Sequence, residues 1–182
     1  MIRIATLLAV AVLAGGVSGC SFERDDDDDD DAATAALRTD IDELKAREAI
    51  RALFADYGRT LDDRDFKAFG RLWARDADFV GGGNSGAAHG PDDIAAALER
   101  AITANATGAN LHVFSNEKIE VHGEQATATS RGAFFGQDAA GRPAALIYAT
   151  YRDELVVEDG AWKFKRRQIV GDIPGPPNGT AR

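Results

Sequence analysis

Cysteine is nearly absent from this chain: Cys20 is the single copy in 182 residues. One thiol excludes an internal disulfide and a cysteine-based zinc site. Histidine is scarce too, present only as His89, His112 and His122, and no chelating spacing links the three. Positive charge is not in excess. The formal net charge is −9, and without a basic stripe to track phosphates nothing in the sequence supports nucleic acid as a partner. No apolar run reaches the roughly 20 residues that a membrane-spanning helix needs. A G-x-S-x-G nucleophile elbow is missing as well.

What is present starts with an export signal. Met1-Ile2-Arg3 gives a short positive start, and the apolar run Ile4 to Val17 follows it. The run closes on Val17-Ser18-Gly19-Cys20, which resembles the lipobox of bacterial lipoproteins. That resemblance implies cleavage after Gly19 and a lipid on Cys20, so that residues 1–19 are a signal peptide. The mature chain would then be held to a membrane of the cell envelope through that lipid. Ser21 stands where an inner-membrane retention signal carries Asp, which points to the outer membrane in a host that has one. A domain exported without disulfides rests on its core alone.

Residues 20–38 read as a lipidated cysteine followed by an extended, flexible tether. Asp25 to Asp31 are seven consecutive aspartates, which repel one another and bury nothing. They also distort the global charge. From Ala32 onward the chain has 19 basic and 22 acidic residues, near −3, because Arg3, Arg24, Glu23 and the seven aspartates lie before it.

Residues 39–172 read as one α+β domain, with an irregular tail over 173–182 that contains Pro174, Pro176 and Pro177. A helix is expected from Thr39 to about Leu61, its apolar stripe made by Ile41, Leu44, Ile50, Leu53, Phe54, Tyr57 and Leu61. Further helices are expected over Phe66–Trp73 and from Pro91 to about Ala104, with a short strand at Ala77–Val80 between them and a loop at Gly81–Gly90. The period then changes to two. Strands are expected over Leu111–Val121, Ala126–Gln137, Ala144–Val157 and Trp162–Val170, joined by turns short enough to force antiparallel neighbours. Helices then pack on one face of a curved antiparallel sheet.

Four motifs in this order carry a family resemblance. Tyr57 to Asp65 (YGRTLDDRD) leads into Phe66-Lys-Ala-Phe and Leu72-Trp-Ala-Arg-Asp-Ala. Gly90-Pro-Asp-Asp-Ile94 opens the third helix. Leu111-His112-Val-Phe-Ser-Asn116 reads H-x-x-x-N, and Gly160-Ala-Trp162-Lys-Phe164 reads G-x-W-x-F. Together they resemble the SnoaL-like domains of the nuclear transport factor 2-like superfamily. The resemblance implies a cone in which sheet and helices enclose an apolar pocket for a small molecule, and two copies paired through the sheet. It does not imply one chemistry.

The candidate chemistry lies in Asp62 and His112. A carboxylate and an imidazole facing one apolar cavity can exchange a proton with a ligand without any cofactor. In the scytalone dehydratase branch of the superfamily the matching pair serves acid–base elimination, with a second histidine on the next strand. This chain reads Thr129-Ser-Arg-Gly-Ala-Phe134 there and has none. Around the pair, Asn116 shares the strand parity of His112, Tyr57 is expected near the pocket mouth, Arg131 is a candidate partner for an acidic ligand and Tyr148 a candidate phenolic donor.

Two functions remain open on this reading. One is a pocket for an apolar or aromatic molecule with dehydratase- or isomerase-type chemistry. The other is a non-catalytic binding or interaction module whose Asp/His pair is structural. Gly81 to Gly86 satisfies G-x-G-x-x-G, but the next helix waits until Pro91 and opens with Asp92 and Asp93, which repel a pyrophosphate. Those glycines are expected to form a flap beside the pocket.

Overall fold

The computed structural model describes residues 26–81, 86–105, 108–138 and 140–173. The segment expected to be a signal peptide, Cys20, the centre of the glycine loop and residues 174–182 lie outside them. No described helix is long and apolar enough to cross a membrane.

The chain divides into Met1–Leu37 and Arg38–Arg182. Helix α1 spans Asp26–Asp62, so aspartates expected in an extended tether are helical instead. Two local effects favour that outcome. Carboxylates near a helix N-terminus oppose the positive end of its dipole, and Ala32, Ala33, Ala35 and Ala36 are strong helix formers. Every residue from Asp30 to Asp42 is exposed. The apolar stripe accordingly works only in its second half: Leu44 is 66% exposed, whereas Ile50, Leu53, Phe54, Tyr57 and Leu61 are buried.

Within Arg38–Arg182, α2 (Phe66–Gly70) starts at Asp65, whose side chain caps the Ala68 N–H at 2.8 Å. The helix is shorter than expected. Trp73 has left it and begins strand β1 (Trp73–Val80). Strand β2 (Ala87–His89) lies in the stretch expected to be loop and pairs antiparallel with β1. Helix α3 covers Pro91–Asn105. The meander follows as β3 (Leu111–His122), β4 (Gln125–Gln137), β5 (Pro143–Glu158) and β6 (Ala161–Gly171).

The six strands form one sheet in the order β2-β1-β6-β5-β4-β3. Consecutive meander strands are antiparallel, as their tight turns require. The sheet as a whole is mixed, because β1 runs parallel to β6; 80 residues lie between them, so no hairpin constrains their direction. Each meander pair has one register shift, at Ser115/Lys118, Phe134/Phe135 and Glu154/Leu155. Such bulges bend strands and increase their twist, and they also decide which side chains face the helices.

The inner face is apolar and aromatic. On β4 it carries Ala126, Ala128, Ser130, Gly132, Phe134 and Gly136, all buried. A Cβ on Gly132 would collide with the Tyr151 ring, and one on Gly136 would come within 2.8 Å of Leu146. Those glycines give neighbouring side chains their room.

Candidate active site

The C-terminal end of α1 meets the start of β3. Arg64, in left-handed backbone conformation (φ 56°), donates from Nη2 to the Gly108 carbonyl at 2.9 Å. Two residues earlier, Asp62 accepts three hydrogen bonds. His112 Nδ1 lies 2.7 Å from Oδ1, Asn110 Nδ2 lies 2.7 Å from the same oxygen, and the His112 backbone N–H donates to Oδ2 at 2.9 Å. The His112 and Asp62 side chains are 9% and 16% exposed. Gly58, one turn before Asp62, permits the approach: its missing Cβ would stand 3.2 Å from His112 Cβ.

This arrangement assigns the nitrogens. A carboxylate oxygen beside Nδ1 requires that nitrogen to carry the proton in the neutral ring, which leaves Nε2 with the lone pair. The aromatic surroundings of the ring are fixed. Phe134 lies against it with centroids 4.7 Å apart, and Tyr57 meets it edge-on at 6.3 Å. Phe134 is paired in register with Ile147, so His112, Phe134 and Ile147 form one row across the inner face. Ile147 is 45% exposed. Apolar surface open to solvent therefore runs up to the histidine.

The other expected site residues are distributed differently. Tyr57 is buried in the core, not at a mouth, and burial raises its phenol above the ordinary range. Asn116 does not share the face of His112. The bulge at Ser115/Lys118 places it in left-handed conformation (φ 55°) and exposes it. Arg131 lies on the opposite face of β4, paired with Asp172 at 2.5 Å. Tyr148 shares that outer face, opposite Ala133. Asp62 and His112 are brought together; Arg131, Tyr148 and Asn116 are not brought to them.

Three participants escaped the sequence reading. Asn110 is one. The others are Arg167 and Asp153, a fully buried pair joined at 2.7 and 2.8 Å. The Arg167 guanidinium is 4.2 Å from the Tyr57 ring centroid and 4.1 Å from that of Phe164, with Phe54, Phe114 and Tyr151 also around it. Burial alone would lower its basicity; the Asp153 charge and hydrogen bonds outweigh that, and the net shift is upward. Tyr57 thus touches both the buried cation and His112.

A groove of about 370 Å³ lined by Phe66, Arg71, Trp73, Pro91, Glu158 and Lys163, among others, contains neither Asp62 nor His112. Among the described residues no group of three or more His, Cys, Asp or Glu side chains is arranged to hold a metal ion.

Comparisons with known proteins place the fold in a family. The chain is 28% identical over 130 residues to the gamma-hexachlorocyclohexane dehydrochlorinase of Sphingobium indicum, covering 71% of this chain and 82% of that protein. A crystal structure of a proposed scytalone dehydratase from Novosphingobium aromaticivorans superposes with a TM-score of 0.64 at 28% identity, covering 74% of this chain and 89% of that one. An NTF2-like protein with a cystatin-like fold from the same organism gives 0.65 at 26% identity, covering 80% and 90%. The SnoaL-like domain description matches residues 42–168, and the chain belongs to that family.

Proposed function

We propose that this chain is a lipid-anchored protein of the bacterial cell envelope whose SnoaL-like domain binds a small apolar or aromatic molecule. In this reading His112 removes a proton from that molecule in a cofactor-free elimination or isomerisation. The observation that carries it is the full engagement of Asp62. With both carboxylate oxygens taken by donors at 2.7–2.9 Å, Asp62 is an orienting group and not itself the base, and His112 Nε2 is the lone pair left for the ligand.

The chemistry balances simply. Nε2 accepts a proton from a ring carbon, the C–H electron pair becomes the new double bond, and the group on the adjacent carbon departs with its bonding pair. A dehydrochlorinase and a dehydratase, as the relatives are named, differ in what departs: chloride leaves as the anion, whereas a hydroxyl must take up a proton, here the one His112 has accepted, to leave as water. The open apolar row beside His112 supports an apolar ring as the ligand.

A second reading has its own support. The β4 inner face beside the pair offers Ser130, Gly132 and Phe134, with no second titratable group to protonate a leaving group, which suits a binding module whose Asp/His pair is structural.

A thermal-shift panel on the full chain in detergent separates the two. Chlorinated cyclohexanes, hydroxylated rings and simple aromatics would be compared on wild type and His112→Ala. A compound that raises Tm with concentration in the wild type and not in the variant supports the pocket. No response to any class, with His112→Ala merely melting earlier, supports the scaffold reading. The anchor is tested by Cys20→Ser, which should release the chain from the membrane fraction and abolish incorporation of labelled fatty acid.

A further inference from the structure

Asp62 is held by three donors, and two of them belong to His112 itself. The backbone N–H, fixed in β3, holds Oδ2, and the ring Nδ1 meets Oδ1; a carboxylate anchored at Oδ2 alone can still pivot about that bond and carry the ring with it. Asn110 Nδ2, at 2.7 Å from Oδ1, is the one donor among the described residues that fixes the carboxylate independently of His112. Its placement follows from the chain. Residue 110 has the parity of residue 112, and the turn before it is tied to α1 through Arg64 and the Gly108 carbonyl.

The polarity of that amide is forced, because only its NH2 end can face a carboxylate. Its other end is therefore fixed as well: Asn110 Oδ1 is buried with no hydrogen-bond partner among the described residues. A buried amide oxygen without a partner is uncommon in folded proteins and unfavourable. The hydrogen bond that holds this side chain is therefore the one from its nitrogen to Asp62.

We propose that Asn110 is the positioning residue of the Asp62–His112 pair, setting the rotation of the carboxylate and so holding His112 in the form that carries its proton on Nδ1. The inference rests on the reading of His112 as proton acceptor, since only that form presents a bare Nε2. Asn110 touches no reacting atom; it acts through Asp62.

The test reads the ring directly and needs no substrate. In the full chain, replacing His89 and His122 by Gln leaves His112 as the sole histidine, and its two ring nitrogens are then observed by 15N NMR at neutral to mildly alkaline pH. With Asn110 present, Nδ1 is expected as the protonated nitrogen and Nε2 as the bare one. In Asn110→Leu the two resonances should move toward each other as the alternative tautomer becomes populated, while backbone amides report an unchanged fold. Ring nitrogens that stay put in Asn110→Leu would overturn the proposal, as would a wild-type ring protonated on Nε2. If Asn110→Leu does not fold, Asn110→Ala removes the same amide without adding bulk and is read the same way. A wild-type ring in the expected form, in a protein that turns over no ring compound, would count against the elimination alone and leave the role of Asn110 to be decided by the variant.

Discussion

Arg167 and Asp153 form a bidentate ion pair, both side chains 0% exposed, in the middle of an aromatic core. Two charges taken out of water are tolerated only together: their mutual attraction offsets desolvation, and removing one partner strands the other. Arg167→Met is therefore expected to destabilise the fold by about 3–5 kcal/mol, measured by chemical denaturation. The double variant Asp153→Leu/Arg167→Met should recover much of that loss. A double variant no more stable than Arg167→Met would show that the pair is not what couples these positions.

Two of the chain's three tyrosines, Tyr57 and Tyr151, have phenols raised by burial above their usual value of 10.0, against the lowering effect of Arg167. A group whose ionisation lies higher in the folded than in the unfolded state contributes stability in full below the unfolded value and loses it as pH rises. Stability should thus begin to fall above about pH 10, once unfolded tyrosines ionise. In an alkaline absorbance titration, Tyr57 and Tyr151 should ionise only as the chain unfolds. Three tyrosinates appearing while the fold persists would contradict the packing around Arg167.

Gly58 lies where α1 touches β3, with room for a Cβ only 3.2 Å from His112 Cβ and 3.5 Å from the Phe114 ring. A branched side chain there must displace the histidine or the helix. Gly58→Val is expected to cost about 1–3 kcal/mol on denaturation and to loosen the His112–Asp62 contact. In Gly58→Ala the helix-propensity gain of about 1 kcal/mol opposes a milder clash, so stability should change little. A Gly58→Val chain as stable as wild type would show that the approach is not tight.

Much of this architecture was legible in the sequence, and what was not has local causes. The hairpin turns at His122-Gly123-Glu124 and Glu158-Asp159-Gly160 announced the meander, and the H-x-x-x-N strand announced His112. Alternation then failed wherever a bulge intervened. Counting by twos from His112 puts Asn116 on the inner face, yet the bulge at Ser115/Lys118 turns it outward. Counting by twos from Phe164 puts Arg166 inside. Because Glu154 pairs with Arg166 and Leu155 with Phe164, Lys165 is the extra residue and Arg167 goes inside. The helical stripe of α1 misled in another way. Ile41 and Leu44 keep the spacing of Ile50 and Phe54, but periodicity reports which residues share a face, not whether anything packs against it.

The most direct test of the account is the rate at which wild type, His112→Ala and Asp62→Asn eliminate from a ring compound that stabilises the wild type, with Tm measured in parallel. If His112 Nε2 takes the proton, His112→Ala should lose about 10²–10⁴ in rate while remaining folded, and Asp62→Asn should lose a large part of the rate by permitting the other tautomer. A His112→Ala chain that is folded and turns the compound over at the wild-type rate would contradict the claim.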